Sequence, residues 1–174
     1  HMLFNSLNTL RSLVRENQDK AQDYIQELSR VLRYTLQDNE SQSVTLREEL
    51  EFASAYIFLL KMRYENNLQF DIQTDKALEE YRVPPMSIQM LIENAVKHNE
   101  ISNRKPLTIH ITTNKKEEKL SVSNAIQPKW TATPGTGIGL VNLAKRYRLL
   151  FKQDIQITED EEFTVCIPLI DERQ

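Results

Sequence analysis

Apolar residues in the first third of the chain recur at helical spacing. Leu3, Leu7, Leu10 and Val14 fall three or four positions apart, and beyond the polar stretch ENQDK so do Ile25, Leu28, Leu32 and Leu36. Two helices joined by so short a break should form an antiparallel hairpin. A second polar stretch, QDNESQSV, ends where Thr45 is followed three positions later by Glu48, the spacing of a capping box. Leu46, Leu50, Ala53, Ile57 and Leu60 continue from it and predict a third helix. Neither glycine nor proline interrupts the chain before Pro84.

From about residue 67 the period changes to two. Leu68, Phe70 and Ile72 alternate in LQFDI, and Leu107, Ile109 and Ile111 in LTIHI. LSV adds Leu120 and Val122, and FTVCI alternates Phe163, Val165 and Ile167. Alternation in every strand means one buried face and one wet face, the habit of antiparallel or mixed sheets rather than doubly wound parallel ones. Two helices interleave. One opens at VPPMS, with Pro85 suited to a first-turn position, and one runs from Ile138 to about Phe151. The pattern predicts an α+β fold: a helical hairpin region over 1–66, then an α/β sandwich over 67–174 on a mixed, mainly antiparallel sheet.

Composition narrows the function classes. The 174 residues carry 22 basic and 25 acidic side chains, a net charge of −3, without the Lys/Arg stripe that a nucleic-acid partner requires. No apolar run approaches the roughly 20 residues that span a bilayer. Cys166 is the single cysteine, so no internal disulfide forms, as suits a reducing compartment. The opening His-Met, followed at once by a helical pattern and with no signal peptide, reads as the edge of an excised fragment whose first residues are a cloning scar. His110 shares a strand side with Thr108 and Thr112, opposite the apolar face, and is read as surface. Cys166 points away from Phe163, Val165 and Ile167; neither residue is given a role.

The three glycines of the chain, Gly135, Gly137 and Gly139, all lie in TPGTGIGLVN, where a protein of this length carries roughly a dozen scattered through its turns. Such a run lets backbone approach a ligand closely, and the following helix start offers unpaired N–H groups to phosphate. A plain turn before a helix is the alternative. The run is neither a P-loop, lacking Gly-Lys-Ser/Thr, nor a Rossmann fingerprint, lacking its spacing and a strand directly before it. A phosphate site needs a cationic or metal partner. In LIENAVKHN, residues 91–99, Asn94, Lys97 and His98 fall at i, i+3 and i+4 and share one stripe of a helix, with Leu91 and Ala95 on the core side. An amide oxygen suits Mg²⁺, which leans on substrate phosphates. A surface pair of Glu93 with Lys97 and a satisfied helix-end His98 are the structural alternatives.

Together these segments resemble a known family. ENAVKHN resembles the N box, and GTGIGLVN the glycine-rich G2 box, of the GHKL ATPase superfamily. The opening HMLFNSLNTL is similar to the phosphoacceptor box of LytS-like sensor histidine kinases. LSRVLRYTL, VTLREELEFASAYIFLLKMRYENNLQFDI and VPPMSIQMLIENAVKH follow in that family's order, so the resemblance covers about residues 1–170. It implies a dimerising helical hairpin with a phosphoacceptor histidine, His1, and a Bergerat-type domain that binds ATP and Mg²⁺. Asn94 would be the metal ligand, with Lys97 and His98 near the phosphates. Gly135, Thr136, Gly137, Ile138, Gly139 and Leu140 would form the phosphate contact and the hinge of a lid over 125–136 that holds Trp130. The implied partners are ATP, a response-regulator aspartate and a second copy of the chain. An upstream sensor would anchor the whole protein in the inner or cytoplasmic membrane, with this part facing the cytoplasm.

One segment departs from the pattern. VSNAIQP stands where the family's G1 box carries Asp-x-Gly-x-Gly, so Asn124 replaces the carboxylate that meets the adenine amino group. A neutral amide accepts a weaker hydrogen bond. This leaves two alternatives: a pseudokinase acting as a dimerisation and partner-binding module, and a GHKL ATPase of another class, against which the Leu-Phe-Asn-Ser-Leu-Asn helix argues. With His1 at the frayed edge of the chain, weak or absent autophosphorylation is expected.

Overall fold

The computed structural model describes residues 2–37, 42–130 and 137–173. Three helices come first: α1 (Met2–Glu16), α2 (Gln18–Leu36) and α3 (Leu46–Tyr64). The break between α1 and α2 is one residue, not five. Asn17 is extended at φ −156° and its side chain accepts from the Lys20 amide, so a single capping residue ends one helix and starts the next. The capping box before α3 forms as expected: Glu48 N–H donates to the Thr45 hydroxyl at 3.2 Å and Thr45 N–H to the Glu48 carboxylate at 2.9 Å.

The expected apolar stripe of α2 is corrected. Ala21, Tyr24, Leu28 and Val31 are buried, while Ile25 and Leu36 are exposed. Tyr24 and Ala21 complete a stripe at the same helical spacing, rotated by about one residue from the expected Ile25, Leu28, Leu32 and Leu36. In α3 the expected residues Leu46, Ala53, Ile57 and Leu60 are buried, and Leu50 half-buried.

The strands are β1 (Val44–Thr45), β2 (Leu68–Gln73), β3 (Arg82–Val83), β4 (Leu107–Asn114), β5 (Lys119–Ala125), β6 (Gln156–Glu159) and β7 (Glu162–Pro168). Five of them form one mixed sheet in the order β2-β4-β5-β7-β6. β2 pairs with β4 in parallel and every other pairing in this sheet is antiparallel, which bears out the fold class. β1 and β3 make a separate two-stranded ladder. The alternation is sharpest in the central strands: Leu107, Ile109, Ile111, Leu120 and Val122 are buried. It fades in the edge strand β2, where Leu68 is buried but Ile72 is exposed. β6, exposed along its whole length, carries no burial pattern and is absent from the sequence reading.

Helices α4 (Ser87–His98) and α5 (Ile138–Phe151) complete the fold. α5 has the expected bounds. α4 begins two residues after Pro85, so the first-turn placement of that proline is corrected. Met86 takes the N-cap at φ +65°, the Ser87 hydroxyl donates to the Pro84 carbonyl at 2.6 Å, and the Pro85 carbonyl accepts from Arg146 of α5 at 3.0 Å. One apolar core runs from Tyr24 and Val31 of α2 through α3 and α4 to Leu143, Tyr147, Val165 and Ile167. Burying each such large side chain contributes about 1.5–3 kcal/mol. His110 lies off this core and faces Asp71 across the parallel pair, Nδ1 to Oδ2 at 3.1 Å. Cys166 is a half-buried free thiol.

Candidate functional site

α4 sets the frame. Ile88, Leu91, Ile92 and Ala95 are buried against the core, which leaves Glu93, Asn94, Lys97 and His98 on the remaining arc of the helix. Asn94 and His98 are half-buried and Lys97 is exposed. Lys97 and His98 belong to the last turn, where the helix dipole favours cations. Glu93 does not pair with Lys97: it accepts from the Gln89 amide at 2.9 Å and from the Tyr56 hydroxyl.

The C-terminal end of α4 is stitched to the segment that follows β5. Asn99, buried, donates to the Ala95 carbonyl at 2.8 Å and accepts from the Gln127 amide at 2.9 Å. Glu100 N–H donates to the Gln127 carbonyl at 2.7 Å, and the Gln127 side chain returns to the Glu100 carbonyl at 2.7 Å. Lys129 is thereby brought close to His98. Burial, then Lys97, then Lys129 hold the His98 imidazole below its ordinary value, so its neutral form prevails at neutral pH and can accept a proton or ligate a metal. The two ammonium groups supply the positive charge that a phosphate chain would meet.

A cavity of about 590 Å³ opens beside this corner, lined by Asn5 and Ser6 of α1, Arg63 of α3, Glu93 and Lys97 of α4, and Lys129, among others. Of the expected stripe only Lys97 lines it; Asn94 and His98 do not. The cavity joins the start of α1 to the basic end of α4, the two segments that the motifs single out.

Asn124 is buried at the end of β5, and its amide donates to the Ala125 carbonyl at 2.8 Å. Ahead of α5, Gly137 stands at φ +58°, where a side chain is strained. The N-cap residue, being glycine, offers no side chain to cap α5, and a helix start of this kind is where a phosphate can meet backbone amides. Ile138 and Gly139 are exposed and Leu140 half-buried. Trp130 is wholly exposed. His1, Gly135 and Thr136 lie outside the described residues, as does the lid from residue 131 to 136.

Sequence reasoning missed four participants: Lys129, Asn99, Gln127 and, deeper in the fold, Glu49. Among the described residues no three His, Cys, Asp or Glu side chains cluster as a metal site. A hard cation fits here only as Mg²⁺ does elsewhere, on one side-chain oxygen such as that of Asn94 with water and phosphate completing the shell. No helix among the described residues is long and apolar enough to cross a membrane.

Comparison with known proteins agrees with the motifs. Residues 1–68 match the family model described as histidine kinase. The chain is 32% identical over 165 residues to the sensor protein LytS of Staphylococcus epidermidis, covering 87% of this chain and 28% of that protein. It is 40% identical over 105 residues to the sensor histidine kinase/phosphatase LytS of Staphylococcus aureus, covering 60% of this chain and 18% of that protein. The chain therefore spans under a third of the length of the curated relatives it matches. The catalytic domain of histidine kinase ThkA shares the fold with a TM-score of 0.51 at 24% identity, over 76% of this chain and 98% of that one. The cytoplasmic segment of histidine kinase QseC does so with a TM-score of 0.53 at 14% identity, over 88% and 95%. In sequence the chain is similar to the LytS-like sensor histidine kinases, and its fold is the one found in histidine kinase catalytic domains.

Proposed function

We propose that this chain is the kinase segment of a two-component sensor: it binds ATP with Mg²⁺ and passes the γ-phosphoryl group to a histidine, from which a response-regulator aspartate takes it. Asn94 holds the metal, while Lys97 and His98 attend the phosphates. Asn124 meets the adenine, and residues 135–140, from Gly135 and Thr136 through Gly137, Ile138 and Gly139 to Leu140, form the lid hinge and phosphate contact. Bound Mg·ATP supplies the electrophilic phosphoryl group; the chain supplies position and charge. Residues 1–66 present the phosphoacceptor, His1 where that residue is native, and dimerise. Residues 67–174 hold the nucleotide. In the whole protein an upstream sensor anchors this segment to the membrane.

The observation that supports this most is the Asn99–Gln127 stitch. It ties the end of α4, where Lys97 and His98 stand, to the start of the segment expected to close over a triphosphate. The relatives carry sensor and kinase names, and nothing in them favours a module without nucleotide chemistry. Calorimetric titration with a non-hydrolysable ATP analogue tests the reading. Binding should require Mg²⁺ and fall by roughly 10- to 100-fold in Asn94→Ala, as the loss of a charge-bearing contact predicts. A folded sample that gives no heat at millimolar nucleotide would sink it.

A further inference from the structure

Glu49 is the only acidic side chain among the buried polar groups of the described residues, and no solvent reaches it. Its carboxylate joins three elements. Oε2 accepts from the Tyr34 hydroxyl of α2 at 2.7 Å and from Met86 N–H at 3.1 Å, and Oε1 accepts from Ile88 N–H at 3.3 Å. The last two amides open α4, which has no side-chain cap of its own and starts from a left-handed Met86. A local Ser, Asp or Asn would cap such a helix more cheaply than a buried carboxylate from another helix. The remote cap does something a local one does not. It references α4 to α2 and α3 rather than to its own loop.

We infer that Glu49, held by Tyr34, is a positioning residue for nucleotide binding: it fixes the start of α4 and so where Asn94, Lys97 and His98 stand. This rests on the proposed nucleotide reading. A helix transmits orientation as a rod, and Asn94 lies six residues, about 9 Å, beyond Ile88. An angular error at the first turn therefore displaces the metal ligand. Tyr34 stacks on Phe52 of α3, ring centroids 4.1 Å apart, which stiffens the donor that grips the carboxylate.

Ionisation gives the role a signature. Burial pushes the Glu49 carboxyl up to about 7, while the hydrogen bonds from Tyr34, Ile88 and Met86 oppose the rise. The groups that face it are Tyr34 of α2 and Tyr147 of α5, with Glu48 beside it acting on Tyr34; Arg146 of α5 reaches the adjoining Pro85 carbonyl. Both tyrosines are raised above their ordinary value and stay neutral. The carboxyl is the group here that titrates near neutrality. Its ionised form accepts all three donors; its protonated form leaves one oxygen that must donate. Because the folded value is raised, acidification through 7 stabilises the fold as a whole. The same step loosens the grip on α4. Global stability and local hold thus move in opposite directions.

The test uses the 174-residue chain, with Glu49→Gln and Tyr34→Phe. Nucleotide affinity for a non-hydrolysable ATP analogue with Mg²⁺, amide exchange at Met86 and Ile88, and global unfolding are followed from pH 6 to 8.5. Glutamine offers one acceptor where the carboxylate has two, so Glu49→Gln should bind roughly tenfold more weakly at pH 8, exchange faster at both amides and still unfold cooperatively. Wild-type affinity should fall below about pH 7 more steeply than that of Glu49→Gln. His98 and the γ-phosphate titrate in both proteins and cancel in the difference. Tyr34→Phe removes a bond that favours ionisation, so its fall should begin at higher pH. Equal affinity and parallel pH profiles in wild type and Glu49→Gln would overturn the inference. Should Glu49→Gln not fold, Tyr34→Phe decides alone, and an unmoved midpoint overturns it. A wild type that binds no nucleotide sinks the proposed function and this role with it, whereas binding in the wild type without effect of either variant sinks only this role.

Discussion

Helix α4 buries six of its twelve residues and α5 two of its fourteen, so the two helices that carry the expected site residues are seated very differently. Both start after a residue in the left-handed region, Met86 before α4 and Gly137 before α5. At α4 that start is clamped by a carboxylate from α3. At α5 no described side chain caps it, and Ile138, Val141 and Leu149 face solvent. The helix with the expected metal ligand is fixed by the protein itself. The one next to the expected phosphate contact starts from a glycine and buries only Leu143 and Tyr147.

The largest difference should appear in the packing. Ile92, with no exposure, is a core side chain, and Ile92→Ala should cost about 2–5 kcal/mol. Leu149, 78% exposed, should change stability by less than about 0.5 kcal/mol on truncation to alanine. Chemical denaturation of both variants measures this directly. Equal losses would mean that α5 is covered in solution, and the contrast between the two helices would collapse.

Much of this arrangement is legible in the sequence because burial follows period. The central strands and α3 have clean alternation or a clean 3–4 stripe, and their core residues stand largely where the pattern puts them; of α5 only the bounds are legible. α2 is read less well because an aromatic and an alanine, Tyr24 and Ala21, do the burying expected of Ile25 and Leu36. β6 has no buried face and so no period to detect. Within the site, the stripe of Asn94, Lys97 and His98 is visible as spacing along one helix. Lys129 and Gln127 reach the site through tertiary contacts that no local pattern encodes. Glu49 did leave a signal. It falls on the buried stripe of Leu46, Ala53, Tyr56 and Leu60, where an acid is out of place unless something holds it.

A smaller effect tests what does hold α5. Tyr147, like Leu143, is fully buried, and its hydroxyl donates to the Pro168 carbonyl at 2.8 Å. Tyr147→Phe keeps the ring but leaves a buried carbonyl unpaired, which should cost about 1–2 kcal/mol. The loss should show as a lower midpoint of unfolding at unchanged denaturant dependence. A neutral result would mean that packing alone seats the helix.

The smallest effect separates two neighbouring glycines by sign. At Gly137 an added methyl group meets no atom within 4 Å, but φ is +58°, so Gly137→Ala should cost roughly 1 kcal/mol in backbone strain alone. Gly139 is helical and equally open, so Gly139→Ala should stabilise by up to about 0.5–1 kcal/mol through helix propensity. If Gly139 is present so that backbone can approach a phosphate chain, that gain in stability comes with weaker binding of an ATP analogue. Stability and affinity would then part company at one residue. A Gly139→Ala protein that is more stable and binds nucleotide as well as the wild type would leave the start of α5 no part in phosphate contact, and the site would rest on α4 alone.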